Sequence, residues 1–163
     1  MNKLTILTKR VARGAAFVAF IVMAGAALAQ APGGKPSAAG RWQTIDDATG
    51  KPRAIVRIYE VNGAWQGDIE KVFYAEGEKK SGLCEKCPEP QRGKPVIGLT
   101  ILWGLHTDSL GRGYQGGRIL DPANATVYKA RLWLDDSGNN LDVRGYIGFT
   151  GALGRSQRWQ RVS

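Results

Sequence analysis

The sequence is poor in the residues on which most metal sites and many catalytic sites depend. Its 163 residues include one histidine, His106, and two cysteines, Cys84 and Cys87. A structural zinc site needs four protein ligands, so this set does not complete one. No serine lies in the Gly-x-Ser-x-Gly turn of the common hydrolases, and nothing marks a partner for His106, which we interpret as an exposed turn residue. We therefore predict no catalytic residues, no metal site, no cofactor and no enzyme activity.

The chain also lacks a hydrophobic run long enough to cross a membrane. Its most apolar stretch, from Gly14 to Ala29, is uncharged and is shorter than the ~20 residues that span a bilayer core. Four cations and no acid precede this stretch, which ends in Ala27-Leu28-Ala29. This is the pattern of a cleavable signal peptide covering residues 1–29. We expect export to the periplasm or secretion, and no stable membrane insertion.

A clustered basic segment is absent as well. The chain has 23 Lys and Arg against 14 Asp and Glu, but four of those cations lie in the predicted signal peptide. The remainder has 19 against 14, a net charge of +5, spread along the sequence. Nucleic-acid binding calls for a concentrated basic patch, so we expect no nucleic-acid partner.

Large apolar residues are missing between the signal peptide and the rest of the chain. Residues 30–39 consist of small, polar, Gly and Pro residues that have almost nothing to bury. Such a composition predicts a disordered linker. Residues 40–163 are long enough for one core and too short for two, so we expect a single domain there.

Helical periodicity is absent from residues 40–163, where short alternating runs lie between turn residues. Residues 54–60 and 64–70 flank Asn62-Gly63, the pair that accepts positive φ at both central positions of a type I′ turn. Residues 126–134 and 141–147 form a second predicted hairpin with a longer turn. With the other runs the count reaches about eight strands, so we predict an all-β, antiparallel, up-and-down barrel.

Glycines inside the predicted strands support a closed barrel. Glycine weakens a strand, so its presence there needs a geometric reason such as a bend, a bulge or a close approach of another group. Closing a small barrel needs bends of this kind. The glycines concerned are Gly67, Gly98, Gly116, Gly117 and Gly145.

The order of several short motifs resembles a known bacterial family. The motifs are Gly40-Arg41-Trp42, Cys84 with Cys87-Pro88, residues 116–122, residues 144–148 and residues 153–159. Together they resemble the domain of unknown function 2147, a family of exported bacterial proteins. The resemblance implies a lipocalin-like, calycin-type β-barrel and no established activity. It also implies that an arginine of the last strand, Arg158 or Arg161, covers Trp42 through a cation–π contact.

One turn departs from the family pattern. Residues 121–126 lack the Gly-Lys pair that is usual there, and Asn124 is expected to adopt the left-handed conformation in its place.

The cysteine pair lies in a loop, Gly77 to Pro95, that is long for so small a domain. Three interpretations stay open: a structural disulfide, a redox-active pair and half of a metal site. Export favours the disulfide between Cys84 and Cys87, the low ligand count argues against zinc, and no helix follows Cys84 to activate a redox thiol.

Aromatic residues and arginines are the remaining candidates for barrel-lining or ligand-binding positions. An eight-stranded barrel can hold one small ligand, and inward Tyr and Arg side chains supply the few polar contacts of such a pocket. Strand alternation, however, places Arg144 and Tyr146 on the face opposite to Val143. The candidates are Trp42, Trp103, Tyr114, Arg118, Tyr128, Arg144, Tyr146 and Arg158.

Two function hypotheses follow from the predicted barrel. The leading one is a periplasmic binding or carrier module for an apolar or amphipathic small molecule. The alternative is a structural or stress-related protein that contacts an envelope protein partner and holds no ligand. The barrel interior separates them, because Gly and Ala on the inner face leave a cavity whereas Trp, Leu and Ile fill it.

Overall fold

A computed structural model describes residues 36–78 and 81–163 of the chain. The predicted signal peptide, residues 1–29, and residues 30–35 of the predicted linker lie outside this part. The described residues form eight strands. The strands are β1 (Gly40–Ile45), β2 (Pro52–Val61), β3 (Ala64–Val72), β4 (Thr100–Thr107), β5 (Gly113–Asp121), β6 (Thr126–Leu134), β7 (Asn140–Ile147) and β8 (Leu153–Val162).

The strands form one closed barrel in sequence order. Each strand is antiparallel to the next, and β8 pairs with β1 through Arg41–Val162, Trp42–Arg161 and Gln43–Gln160. Closure leaves no free sheet edge, which is how small antiparallel barrels satisfy their backbone hydrogen bonds. The prediction of an all-β, eight-stranded, up-and-down antiparallel barrel is confirmed.

The sequence predicted the backbone conformation of the β2–β3 turn correctly and that of the β5–β6 turn incorrectly. Asn62 and Gly63 join β2 to β3 with φ angles of 51° and 77°, as a type I′ turn requires. Between β5 and β6, however, Ala125 and not Asn124 has the positive φ, of 58°. The Asn124 side chain accepts a hydrogen bond from the Thr126 backbone N–H at 2.9 Å. The expectation that Asn124 adopts the left-handed conformation was therefore wrong. Asn124 stabilises the turn through its side chain, and Ala125 adopts the left-handed backbone conformation.

One half of the barrel interior is filled by side chains. The bulky core residues at this closed end include Trp42, Trp65, Leu105 and Tyr114, all buried. The Trp65 and Tyr114 rings meet edge to face with centroids 5.1 Å apart. Gly67 makes room in this core, because a Cβ atom there would lie only 3.1 Å from a methyl carbon of Leu102.

The segment before β1 plugs the closed end. Ala38 is only 1% exposed. Its N–H donates to the Tyr114 hydroxyl and its carbonyl accepts from Trp42 Nε1, both at 2.8 Å. Ser37 and Ala39 accept hydrogen bonds from Arg161 through their carbonyls. Residues 37–39, at the end of the predicted linker of residues 30–39, are thus hydrogen-bonded to the barrel.

Arg161 is the last-strand arginine that covers Trp42. Its guanidinium carbon lies 4.2 Å from the centroid of the tryptophan ring. Arg158, the other candidate, points elsewhere and forms an exposed ion pair with Asp142 at 2.8 Å. The two arginines are three residues apart on β8, so strand alternation puts them on opposite faces of the sheet.

Candidate functional site

The second half of the barrel interior is an open cavity of about 520 Å³. It lies at the end where β1 joins β2, β5 joins β6 and β7 joins β8, opposite to the plugged end. The interior is therefore filled at one end and hollow at the other. Pockets that bind small ligands typically measure about 300–1,000 Å³, so the cavity is of ligand size.

The walls of the cavity are mainly apolar. Branched aliphatic side chains come from most of the strands, and Trp159 of β8 lies at the side of the filled core. A surface of this kind suits a hydrocarbon or a ring system better than a sugar or a nucleotide, because it offers few hydrogen-bond partners. The apolar residues that form the wall include Val56, Ile69, Val72, Ile101, Ile119 and Val143.

Gly145 of β7 keeps this part of the interior open. A Cβ atom at Gly145 would meet Ile119 Cγ2 and Tyr128 Cβ at 3.4 Å, which is an ordinary contact distance. Any larger side chain would extend into the cavity, since the position lines it. The Tyr128 hydroxyl accepts a hydrogen bond from Asn124 Nδ2 at 3.0 Å, which orients the ring at the mouth.

Polar and charged side chains surround the mouth. Arg53 donates two hydrogen bonds of 2.7 Å to the Glu78 carboxylate. Arg155 pairs with Asp47, whose other oxygen accepts a hydrogen bond from Gln157 Nε2 at 3.2 Å. Both arginines that line the cavity therefore have carboxylate partners, and the mouth combines an apolar interior with a polar rim.

The ionisation of the rim follows from these bonds. The Thr49 side chain donates to Asp46 and lowers the pKa of that carboxyl below its usual value of 3.8. The hydrogen bonds to Glu78 raise the pKa of Arg53 above its usual value. Both groups stay charged at neutral pH, so the rim is ionised when the cavity is open to water.

The cysteine loop packs beside the cavity. Cys84 and Cys87 form a disulfide, both are buried, and they belong to the hydrophobic core cluster. Leu83 and Pro95 form an isolated β-bridge, and Val96, just after it, lines the cavity. Of the three interpretations of this pair, the structure has the disulfide, and it lies in a loop that ends next to Val96 of the cavity wall.

The structure divides the predicted barrel-lining residues into three groups. Tyr128 lines the cavity. Trp42 and Tyr114 are buried in the filled end. The other five do not line the cavity: Arg118 and Arg158 are exposed, and Trp103, Arg144 and Tyr146 are half-buried on the outer side of the sheet. Strand register and alternation explain this placement. Trp103 is opposite Arg118 across β4 and β5, so the two side chains share the outer face. On β7, Arg144 and Tyr146 alternate with Val143, Gly145 and Ile147, which line the cavity.

Sequence reasoning missed several residues of the cavity. Arg53, Arg155 and Gln157 lie at strand ends, and only the barrel closure brings them to one mouth. For Gly145 and Trp159, the sequence does contain a pattern that indicates an inward position. Gly145 shares a strand face with the buried Val143, and Trp159 is itself a large apolar residue in a strand, of the kind that is buried in a core.

His106 lies away from the cavity. It is exposed near the end of β4, and its Nδ1 is 3.2 Å from the Gly63 carbonyl oxygen in the β2–β3 turn. Within residues 36–78 and 81–163, no group of three or more His, Cys, Asp or Glu side chains could hold a metal ion. In the same part of the chain, no helix has the length and apolar character needed to span a bilayer.

A closed antiparallel barrel of eight strands, plugged at one end and hollow at the other, is a lipocalin-like fold. The chain belongs to the bacterial family described as "Uncharacterized protein conserved in bacteria (DUF2147)", whose model matches residues 40–161. The resemblance seen in the sequence motifs is therefore confirmed.

A solved structure supports the lipocalin-like fold. Protein HP1028 from the human pathogen Helicobacter pylori, described as belonging to the lipocalin family, superposes with a TM-score of 0.64. The match covers 77% of this chain and 82% of that one at 23% sequence identity, so it shows the fold alone. None of the curated proteins compared with the chain matches it.

Proposed function

We propose that the protein binds one apolar or amphipathic small molecule in the open half of its barrel. The observation that carries this proposal is the cavity of about 520 Å³, with aliphatic walls and a polar mouth. Binding of a hydrocarbon would remove apolar surface of both the ligand and the cavity wall from water, which is favourable by about 25 cal/mol per Å². The polar rim favours a ligand whose polar end stays at the mouth, near Tyr128 and Gln157.

The place of action belongs to the same proposal. The uncharged stretch from Gly14 to Ala29, preceded by cations and ended by Ala27-Leu28-Ala29, supports export and cleavage. We expect protein recovered from the periplasm of expressing bacteria to begin at Gln30, as read by N-terminal sequencing or intact mass. A chain that keeps residues 1–29 and stays inside the cell would contradict this part.

Ligand binding can be tested with a matched pair of variants at Gly145. The probe is N-phenyl-1-naphthylamine, an apolar dye that fluoresces when it leaves water. We expect saturable binding at one site per chain. Gly145→Leu should weaken it about tenfold, which corresponds to about 1.4 kcal/mol, because the side chain occupies the cavity. Gly145→Ala should bind as the wild type does, since its Cβ fits at 3.4 Å from its neighbours.

Two results would count against binding in the cavity. One is an absence of saturable dye binding by the wild type. The other is equal binding by wild type and Gly145→Leu, with circular dichroism showing that the variant is folded. If the dye binds in the cavity as expected, native mass spectrometry of protein taken from its own envelope fraction should reveal the natural ligand by its added mass.

The alternative hypothesis of a filled barrel fits only the closed half of the interior, so we do not put it forward. An envelope protein partner stays a prediction.

A further inference from the structure

Four cations lie side by side on the outer surface of β5, β6 and β7. Arg118 is opposite Lys129 across β5 and β6, and Arg131 is opposite Arg144 across β6 and β7. Like charges in directly opposed positions destabilise a sheet. No carboxylate within residues 36–78 and 81–163 forms an ion pair with any of the four. Arg144 donates hydrogen bonds to the Ser156 hydroxyl and the Gly151 carbonyl, and these acceptors are neutral. The positive charges of the face are therefore available to an anionic partner outside the barrel.

Aromatic rings hold two of these cations in place. The Arg131 guanidinium carbon lies 4.8 Å from the centroid of the Tyr146 ring and 5.5 Å from that of Trp133. Its Nε is buried and has no hydrogen-bond partner among the described residues. Lys129 Nζ lies 4.8 Å from the centroid of the Phe149 ring. We call this surface the basic outer face; it comprises Arg118, Lys129, Arg131, Arg144, Trp133 and Tyr146.

An apolar loop continues the basic outer face at the open end of the barrel. Phe149, in the loop between β7 and β8, is 99% exposed. Ile147 and Leu153, the strand residues on either side of the loop, are exposed large apolar side chains as well, but they line the cavity mouth and do not belong to the outer face. Lys129 Nζ donates a hydrogen bond to the Gly148 carbonyl at 2.9 Å, which ties the loop to the cations. Moving a fully exposed phenylalanine side chain from water into an apolar environment is favourable, and here it breaks no packing contacts within the core.

We propose that the basic outer face and the Phe149 loop dock on the surface of an anionic phospholipid bilayer. The cations match the negative headgroups, and Phe149 enters the boundary between headgroups and acyl chains. A soluble polyanion would also match the cations, but it would leave Phe149 in water, and this is why a bilayer fits better. The contact is peripheral and involves a different surface from the cavity wall around Gly145, so it goes beyond ligand binding.

Vesicle co-sedimentation tests the proposal. The protein is the form recovered from the periplasm, and the vesicles contain phosphatidylcholine alone or mixed with phosphatidylglycerol. We expect binding to the mixed vesicles only, and weaker binding as salt is added. Arg118→Gln should weaken binding about fivefold, which corresponds to about 1 kcal/mol. Arg57→Gln is the control, because Arg57 is an exposed strand arginine on β2, away from this face, and carries the same charge change.

The apolar part of the proposal has its own pair of variants. Phe149→Ala should lower binding several-fold, whereas Leu110→Ala, an exposed apolar residue in the loop after β4, should not. Equal losses for Arg118→Gln and Arg57→Gln would overturn the proposal, because they would reflect net charge alone. Dextran sulfate, a soluble polyanion, provides a second test. The proposal would also be overturned if the wild type bound dextran sulfate as tightly as vesicles and Phe149→Ala left vesicle binding unchanged. Gly145→Leu should bind vesicles normally, which separates this test from that of the cavity.

Discussion

Arg161 stacks on Trp42 and at the same time donates hydrogen bonds to three backbone carbonyls. The guanidinium carbon is 4.2 Å from the ring centroid, and the carbonyls of Ser37, Ala39 and Gly138 accept at 2.7 Å each. One side chain on the last strand thus joins the first strand, the segment before it and the β6–β7 turn. Burial lowers the pKa of Arg161, and the aromatic ring and carbonyls compensate for the lost water.

Removing this side chain should cost much more than removing a nearby surface arginine. We expect Arg161→Ala to lower the free energy of unfolding by about 3 kcal/mol, from the lost ring contact and charged hydrogen bonds. Arg158→Ala removes only an exposed ion pair with Asp142, which water and salt screen, and should change stability little. Urea denaturation followed by tryptophan fluorescence measures both. Equal costs would show that Arg161 does not close the barrel end.

The two halves of the interior should respond differently to the same substitution. At Gly67 a new Cβ would lie 3.1 Å from Leu102 Cδ1 and 3.2 Å from Val56 Cγ1, so Gly67→Ala should destabilise by about 1–3 kcal/mol. At Gly145 the nearest atoms are 3.4 Å away, so Gly145→Ala should change stability by less than about 0.5 kcal/mol. Thermal unfolding of the two variants checks this. A larger loss at Gly145 would mean that the open half is packed in solution.

Asp135 in the β6–β7 turn should show an acid-sensitive contribution to stability. The Asn140 side chain donates to its carboxylate at 2.7 Å and, more than any other contact, lowers the pKa of Asp135 from 3.8 to about 2. A carboxyl whose pKa is lower in the folded state stabilises the fold above about pH 4 and loses that effect as the pH falls through 2.

Asn140→Ala should therefore raise the pKa of Asp135 toward 3.8, as followed by NMR titration of its carboxyl carbon. The stability difference between this variant and the wild type should shrink below pH 4. Asp46, whose pKa depends on Thr49 in another loop, is the internal control and should not move. An unchanged Asp135 titration would rule out Asn140 as the cause.

The disulfide should stabilise the loop more than the barrel. Cys84 and Cys87 are the only cysteines, and their bridge closes a very short loop, for which the gain in chain entropy is small. We expect no free thiol in the denatured, unreduced protein and two after reduction. The reduced protein should keep its β circular dichroism but be cleaved faster by trypsin at Lys86 and Arg92. Loss of the barrel on reduction would contradict this division.

The sequence alone determined the secondary structure and the relative faces of neighbouring residues. Asn62-Gly63 predicted a type I′ hairpin because few other pairs accept two positive φ angles, and alternation placed Arg144 and Tyr146 opposite Val143. These are local properties, set by backbone sterics and the two-residue period of a strand.

Only the tertiary structure decided where along the barrel each inward residue lies. Trp42, Tyr114 and Tyr128 all face inward, but only Tyr128 lies at the depth of the cavity. That depth depends on how eight strands are staggered when the sheet closes, which no single segment encodes. Closure also brings Ala38 against the Tyr114 hydroxyl. The basic outer face forms because the register of β5, β6 and β7 places cations opposite one another, although the charges look evenly spread along the chain.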